Sequence, residues 1–445
     1  MWTALLLVLV FLVLLNSGVP LWLVLAILSL TSFVFWGEGG EDLAWLAEDG
    51  APFSDYVAHF HEYAVSIPLQ MFRVTESPVL IAIPFFTIAG MVMTRGEIST
   101  RLIEFARAAV GFLPGGLAIT TIAACTFFAA ISGASAVTII AIGGMLYPAL
   151  KEEGYSDVFS LGLLTSCGAI GIMAPPSLPL IIYGVIAKTD INKLFLAGVI
   201  PGILSIGTMV LYSSWRAGKY GVARERLSFE LVREKAVHGI WALLLPVILL
   251  GSIYGGITTA AEASAVALLY AIVIEVFVHR ALRLSDLSSI IVDSMVLVGA
   301  ILIILLMALA FTNFLAIEQI PQEATEWIRG YVESPLGFLV ALNVLLLIVG
   351  CIMDIFSAIL IVGPLVVPIA EAFGVNLIHL GIIFVINLEI GFVTPPFGIN
   401  LFISSTFFRK PVSEVFRASV PFLILLLLSL AAITYFEGLS LWLVR

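Results

Sequence analysis

The chain has 445 residues, 61% of them hydrophobic and 11% charged, with a formal net charge of −10 at pH 7. Soluble domains carry roughly 25% charged residues, so this composition excludes a soluble enzyme and indicates a polytopic membrane protein. The acidic balance and the lack of a basic tract exclude nucleic acid as a partner.

In chain order, the first apolar run, 4–15, is short of the ~20 residues that span a bilayer as helix. It ends at "NSGVP" and is followed by the run 21–35. These read as two spans, or as one broken span. No basic region precedes them, as a signal peptide would require. Residues 37–76 are acidic, with Glu38, Glu41, Asp42, Glu48, Asp49, Asp55, Glu62 and Glu76 against Arg73 alone. A solvated loop with amphipathic pieces is expected, or a docking surface. His59 and His61 are placed in it as solvated residues, because an i, i+2 pair does not share a helix face.

Further spans are expected at 194–215, 242–254, 296–314 and 420–436. Cys125, Cys167 and Cys351 all lie in apolar runs without CxxC spacing, which argues against a disulfide framework or zinc site. Thr259 to Glu262, "TAAE", fits a capping box at a helix start. No P-loop lysine, GxSxG or HExxH is present, so ATP hydrolysis and intramembrane hydrolase chemistry are not expected.

Two segments break the pattern. "GIMAPPS" (171–177) and "GFVTPPFGIN" (391–400) set adjacent prolines inside apolar runs. Proline ends or kinks a helix. Irregular backbone survives at membrane depth only where it is buried in protein or lines a cavity. Gly391 is expected to end one helix, with Thr394 as cap and Pro395 as first residue of the next; Ala174 takes the cap position in the first copy, followed by Ser177. Freed carbonyls with a hydroxyl make a hard oxygen site suited to sodium. A half-helix N-terminus suits an anionic group.

The two segments are copies. At one ungapped offset of 220 residues, Gly143 meets Gly363, Pro148 meets Pro368 and Gly154 meets Gly374. Gly171, Pro175 and Pro176 likewise meet Gly391, Pro395 and Pro396. "TRGEISTRLIEFARA" before the first copy holds three Arg, whereas "EQIPQEATEWIRG" before the second holds three Glu and one Arg. The positive-inside rule then puts the copies in opposite orientations. Fifteen of the 20 Lys and Arg fall on one side if 117–150 and 338–372 are hairpins that enter and leave on the same face. Both termini are then expected in the periplasm. The hairpin tips are "SGASAVT" (132–138) and "MDIFSA" (353–358). Asp354 is either an ionisable group at depth with a function or a helix cap. Glu389 and Asn387 either face a cavity or pair with a neighbouring helix.

"ISGASAVTIIAIGGMLYPALKEEGYS", "GAIGIMAPPSLPLIIYG" and "NLEIGFVTPPFGINLF" resemble the large membrane subunit of TRAP transporters, the tripartite ATP-independent periplasmic family. The resemblance runs from about residue 78 to the C-terminus, and the acidic stretch is longer than is usual there. It implies an all-α inverted-repeat elevator transporter with two re-entrant hairpins and two broken helices. The expected division is 1–76 (scaffold), 77–215 (first repeat, with broken helix 157–188), 216–236 (basic cytoplasmic linker), 237–288 (scaffold), 289–408 (second repeat, with broken helix 378–407) and 409–445.

The resemblance also implies sodium-driven uptake of a carboxylate-bearing organic acid at the bacterial inner membrane. A separate four-helix membrane subunit and a periplasmic binding protein would be partners. A stand-alone sodium–dicarboxylate symporter is the alternative. Carried onto this sequence, one sodium site would use Ser132 and Gly133 with Gly171, Ala174 and Pro175. A second would use Asp354 with Gly391, Thr394 and Pro395. Substrate would lie between, near Ser135, Ser177, Ser357, Thr394 and Asn400.

Overall fold

The computed structural model describes residues 19–35, 37–75, 78–132, 135–220, 228–332 and 334–444. Every regular element among them is helical. Among the described residues six helices are long and apolar enough to cross a membrane: Ile191–Lys219, Ala260–Val278, Leu284–Ile317, Pro335–Ile352, Ile355–Ala372 and Val412–Tyr435. A seventh span arises if Phe229–His238 and Ile240–Tyr254, bent by 70°, count as one. The chain is a multi-pass membrane protein. Several shorter apolar helices, among them Gly116–Ser132, Asp157–Ile170, Leu377–Gly391 and Ile399–Phe408, are each too short to cross alone.

The 220-residue offset extends to the hydrogen bonds. Ser135–Glu152 and Ile355–Ala372 are helices of 18 residues each, at that spacing. Each ends in a left-handed glycine, Gly154 (φ 94°) or Gly374 (φ 76°). The N–H of Tyr155 bonds to Leu150 O at 3.0 Å, and that of Val375 to Ala370 O at 2.9 Å. A polar N-cap then opens the next helix: Ser156 accepts from Phe159 N, and Asn376 from Ile378 N and His379 N. These caps satisfy orphan donors that lipid could not.

Helices 157–170 and 377–391 run through the interior. All residues from 159 to 170 and from 379 to 391 are buried. Helix 284–317, by contrast, turns much of its apolar surface outward, as at Val296 (69% exposed) and Val292 (58%). The chain thus places the helices that lead into its two breaks where protein, not lipid, surrounds them.

The acidic stretch departs from expectation. Instead of a loop it forms helices Gly37–Glu48 and Phe53–Thr75, the second packed on helices 21–35 and 284–317. Its carboxylates Glu41, Glu48, Asp49, Asp55 and Glu62 are exposed. His59 is corrected with it: its ring is buried on helix 53–75, with Nε2 3.2 Å from Val34 O, because helical phase turns it toward helix 21–35 while His61 faces out. The question of one or two spans before residue 36 falls largely outside the described residues, as do Gly133, Glu76 and the linker at 221–227.

Candidate functional site: two broken helices

At the first break, helix 157–170 gives way to one tight turn, Gly171–Met173, then to extended backbone at Ala174 (φ −71°, ψ 131°). The next helix, Leu178–Ile186, is capped by Ser177, whose Oγ accepts from Leu180 N at 3.4 Å. The cap is therefore Ser177 and not Ala174, since alanine has no acceptor to offer an orphan N–H. Among the described residues no donor reaches the carbonyls of Ala174, Pro175 or Pro176.

The second break is tighter. Phe392 N, Val393 N and Thr394 N continue turn-like bonds to Glu389 O (3.2 Å), Ile390 O (3.1 Å) and Gly391 O (3.0 Å). Thr394 is not the expected cap. Its hydroxyl turns back to donate to Ile390 O at 2.8 Å, and the next helix starts only at Ile399. Pro395 is correspondingly outside that helix and exposed. Asn400 N reaches back to Phe392 O at 3.0 Å and closes the loop.

Each break rests on a neighbouring helix at a glycine, 116–132 for the first and 335–352 for the second. A Cβ on Gly171 would lie 2.4 Å from Ala129 Cβ and 2.7 Å from Thr126 O; one on Gly391 would lie 2.4 Å from the carbonyl carbon of Gly350. Only glycine permits such approach of backbone to backbone. The second contact is reinforced by the Cys351 thiol, 3.5 Å from Pro395 O. Three residues on, Asp354 caps helix 355–372, accepting from Phe356 N and Ser357 N at 3.0 Å each and from the Ser357 hydroxyl. Asp354 is exposed and Ser357 buried. Its cap role is thereby present, and its carboxylate still borders the tip.

The two copies are bonded to each other. Ser135 Oγ donates to Asn400 Oδ1 at 2.8 Å, and Asn400 Nδ2 donates to Thr165 O at 3.4 Å. Thr165 Oγ1 and Ser404 Oγ are 2.8 Å apart. Ser135 and Asn400 were expected near substrate; Thr165 and Ser404 were not singled out, because each sits in a short hydroxyl run, Thr165-Ser166 or Ser404-Ser405-Thr406, that does not mark which member bonds across the copies. Nearby in sequence, Ser166 Oγ is buried without a partner among the described residues. Ser177 is held in its capping role, while Ser132 ends helix 116–132.

Asn387 pairs across helices, donating to Asn343 Oδ1 at 2.8 Å. Glu389 is buried, and its Oε1 has no partner among the described residues. It shares a helix face with Ile382, seven residues earlier; that side chain packs by Gly198, next to the Met173 carbonyl. A second tie lies at one end of the same helices. Asp157 accepts from Tyr147 OH at 2.5 Å and from Lys410 Nζ at 2.5 Å. The Lys410 bond to Asp157, with one to Glu414, holds the ammonium pKa well above its usual value.

Among the described residues no three His, Cys, Asp or Glu side chains converge on a metal position. The donors on offer are carbonyls, hydroxyls and amides.

Residues 8–439 match the model of the family described as "Tripartite ATP-independent periplasmic transporter, DctM component". The chain belongs to the DctM family. It is a transporter permease subunit and not an enzyme. It is 40% identical over 378 residues to the C4-dicarboxylate TRAP transporter large permease protein DctM of Pseudomonas aeruginosa, covering 84% of this chain and 88% of that one. It is 36% identical to the ectoine TRAP transporter large permease protein TeaC of Halomonas elongata, over 82% of this chain and 86% of the relative. The isethionate TRAP transporter permease protein DctMQ of Oleidesulfovibrio alaskensis is 38% identical; the match covers 91% of this chain but only 63% of that longer one. The fold is also similar to the YdaH transporter of Alcanivorax borkumensis, with a TM-score of 0.65 and 13% identity over 86% of this chain and 89% of that one.

Proposed function

We propose that this DctM chain performs sodium-coupled uptake of a small carboxylate-bearing organic solute across the bacterial inner membrane. A separate small membrane subunit completes it, and a periplasmic binding protein delivers the solute. The observation that carries this reading is the pair of backbone breaks, each pressed on a neighbouring helix through a glycine, at Gly171 and Gly391. Such paired breaks in inverted repeats mark a transporter's midplane site. The relatives named for C4-dicarboxylates, isethionate and ectoine support a small polar organic solute.

In this reading the sodium ions are cargo. Residues Ser132, Gly133, Gly171, Ala174 and Pro175 hold one ion through carbonyl and hydroxyl oxygens. Asp354, Gly391, Thr394 and Pro395 hold the other. Ser135, Ser177, Ser357, Thr394 and Asn400 border the solute. Hairpins 117–150 and 338–372, with broken helices 157–188 and 378–407, move as one body against a scaffold that includes helices 21–35, 240–254 and 260–273. Desolvating an anion costs several kcal/mol unless donors or cations replace water, and a sodium ion on each side supplies that charge. The family match favours this over a stand-alone symporter. The test is uptake into proteoliposomes holding the chain, its small subunit and the binding protein. Uptake should collapse without a sodium gradient. Undiminished uptake on a proton gradient alone would overturn the coupling.

A further inference from the structure

A cavity of about 160 Å³ lies beside the first break. Its wall includes Ala89 of helix 82–95, Thr126 and Phe127 of helix 116–132, Pro175 of the break, Leu249 of helix 240–254 and Ala267 of helix 260–273. Among the described residues Thr126 is the only hydroxyl or charged side chain on that wall, and it is satisfied: its Oγ1 donates to Ile122 O at 2.8 Å. An anionic solute would find no side-chain donor there, and burying one unpaired is costly. Water needs two to four polar partners in such a space. The carbonyls of Ala174, Pro175 and Pro176 belong to the same wall, but apart from Thr126 its side chains are hydrocarbon, so the cavity favours an apolar occupant over the anionic solute of the neighbouring site.

Its size sets the occupant. An apolar cavity of roughly 150 Å³ holds a six-carbon ring, so this one accommodates about six carbons of hydrocarbon chain. Its position sets the source. Phe127 lines the cavity and is also 41% exposed, so the wall reaches the outer surface. The same helices present Val247 (66% exposed) and Val266 (44%) outward, continuing an apolar surface of the kind that lipid tails cover.

We infer that this cavity binds the end of a lipid acyl chain, entering past Phe127 between the helices and the first break. Because Pro175 forms part of the wall, a seated tail touches both the break and helices 82–95, 240–254 and 260–273. On the reading proposed above, which this consequence rests on, the tail must leave or slide when the break moves. Lipid chains of different length would then set the rate of transport without touching the solute site.

The test uses the chain with its small subunit, reconstituted with phosphatidylethanolamine carrying a diazirine near the end of one acyl chain. After photolysis, label is expected on the segments holding Phe127 and Leu249. The paired substitution Ala89→Leu and Ala267→Leu fills the space. It should cut that label about tenfold, the factor that about 1.4 kcal/mol of lost burial produces. Label on the outward face of helix 284–317 should stay unchanged, which also reports that the variant has folded; Ala267→Leu alone serves if the pair does not fold. Equal label in the filled variant, or none on these segments, would overturn the inference. In a separate arm, Ala267→Cys should resist a charged thiosulfonate. Its modification would make the cavity part of an aqueous path and would equally sink the inference. Neither arm measures uptake, so either can fail while sodium coupling stands.

Discussion

At the residue scale, the glycines at the breaks were legible and their partners were not. Gly171 and Gly391 announce themselves by their shared spacing to Pro-Pro. What they approach, Thr126 and Ala129 in one case and Gly350 in the other, follows only from three-dimensional packing. Gly391→Ala drives a Cβ into the Gly350 backbone, which has no rotamer with which to yield. Overpacking of this kind costs about 1–3 kcal/mol, and here it also displaces the break. We expect a lower unfolding temperature in detergent and loss of uptake. Gly363→Ala is the control: its Cβ would meet Ile186 Cγ2 at an ordinary 3.5 Å, and it should behave as wild type. Asn400 makes the same point in polar form. Its bonds to Ser135 and Thr165 span 265 and 235 residues of sequence, and no local pattern encodes a bond at that range.

At the element scale, local caps were readable and distant ones were not. The Thr259–Glu262 capping box forms as its four-residue spacing predicts. Helix Ile98–Val110 is capped instead by Glu275, which lies 177 residues from Ile98. The Glu275 carboxylate is fully buried and accepts from Glu97 N at 2.9 Å and Ile98 N at 2.7 Å, with His279 Nδ1 at 3.3 Å. Gly96 leaves room for it; a Cβ there would fall 2.1 Å from its carboxyl carbon. Glu275→Ala strands a buried donor at Ile98, worth about 1–3 kcal/mol when unsatisfied, and a part-buried one at Glu97. A thermal melt should show a clear loss, while Glu262→Ala, at an exposed cap, should show a small one. An equal loss in both would mean that Glu275 carries no more weight than a surface cap. The acidic stretch failed in the other direction. Charge density suggested a loop, but its apolar residues, recurring at helical spacing, fold it onto helices 21–35 and 284–317.

At the scale of the whole molecule, composition alone gave the membrane class, and the fifteen of 20 basic residues that fall on one side of the expected topology give an expected orientation. That orientation makes a direct prediction. In intact cells, Glu62→Cys should react with an impermeant thiol reagent added outside, and Ser228→Cys should react only after permeabilisation. The reverse pattern would invert the proposed topology. Sequence could say that two similar halves exist, because Gly and Pro punctuate backbone wherever they stand. It could not say how the halves touch, because that contact is made by a few small polar side chains.

The Ser135–Asn400 bond joins helix 135–152 of the first copy to helix 399–408 of the second. Duplicated segments begin as interchangeable parts, and this contact ends that freedom. A chimera that takes residues 135–152 from one relative and 399–408 from another inherits two surfaces shaped on different partners. Exchange should succeed only when both travel together, so recombination within the family is constrained to inherit the two half-sites as one unit.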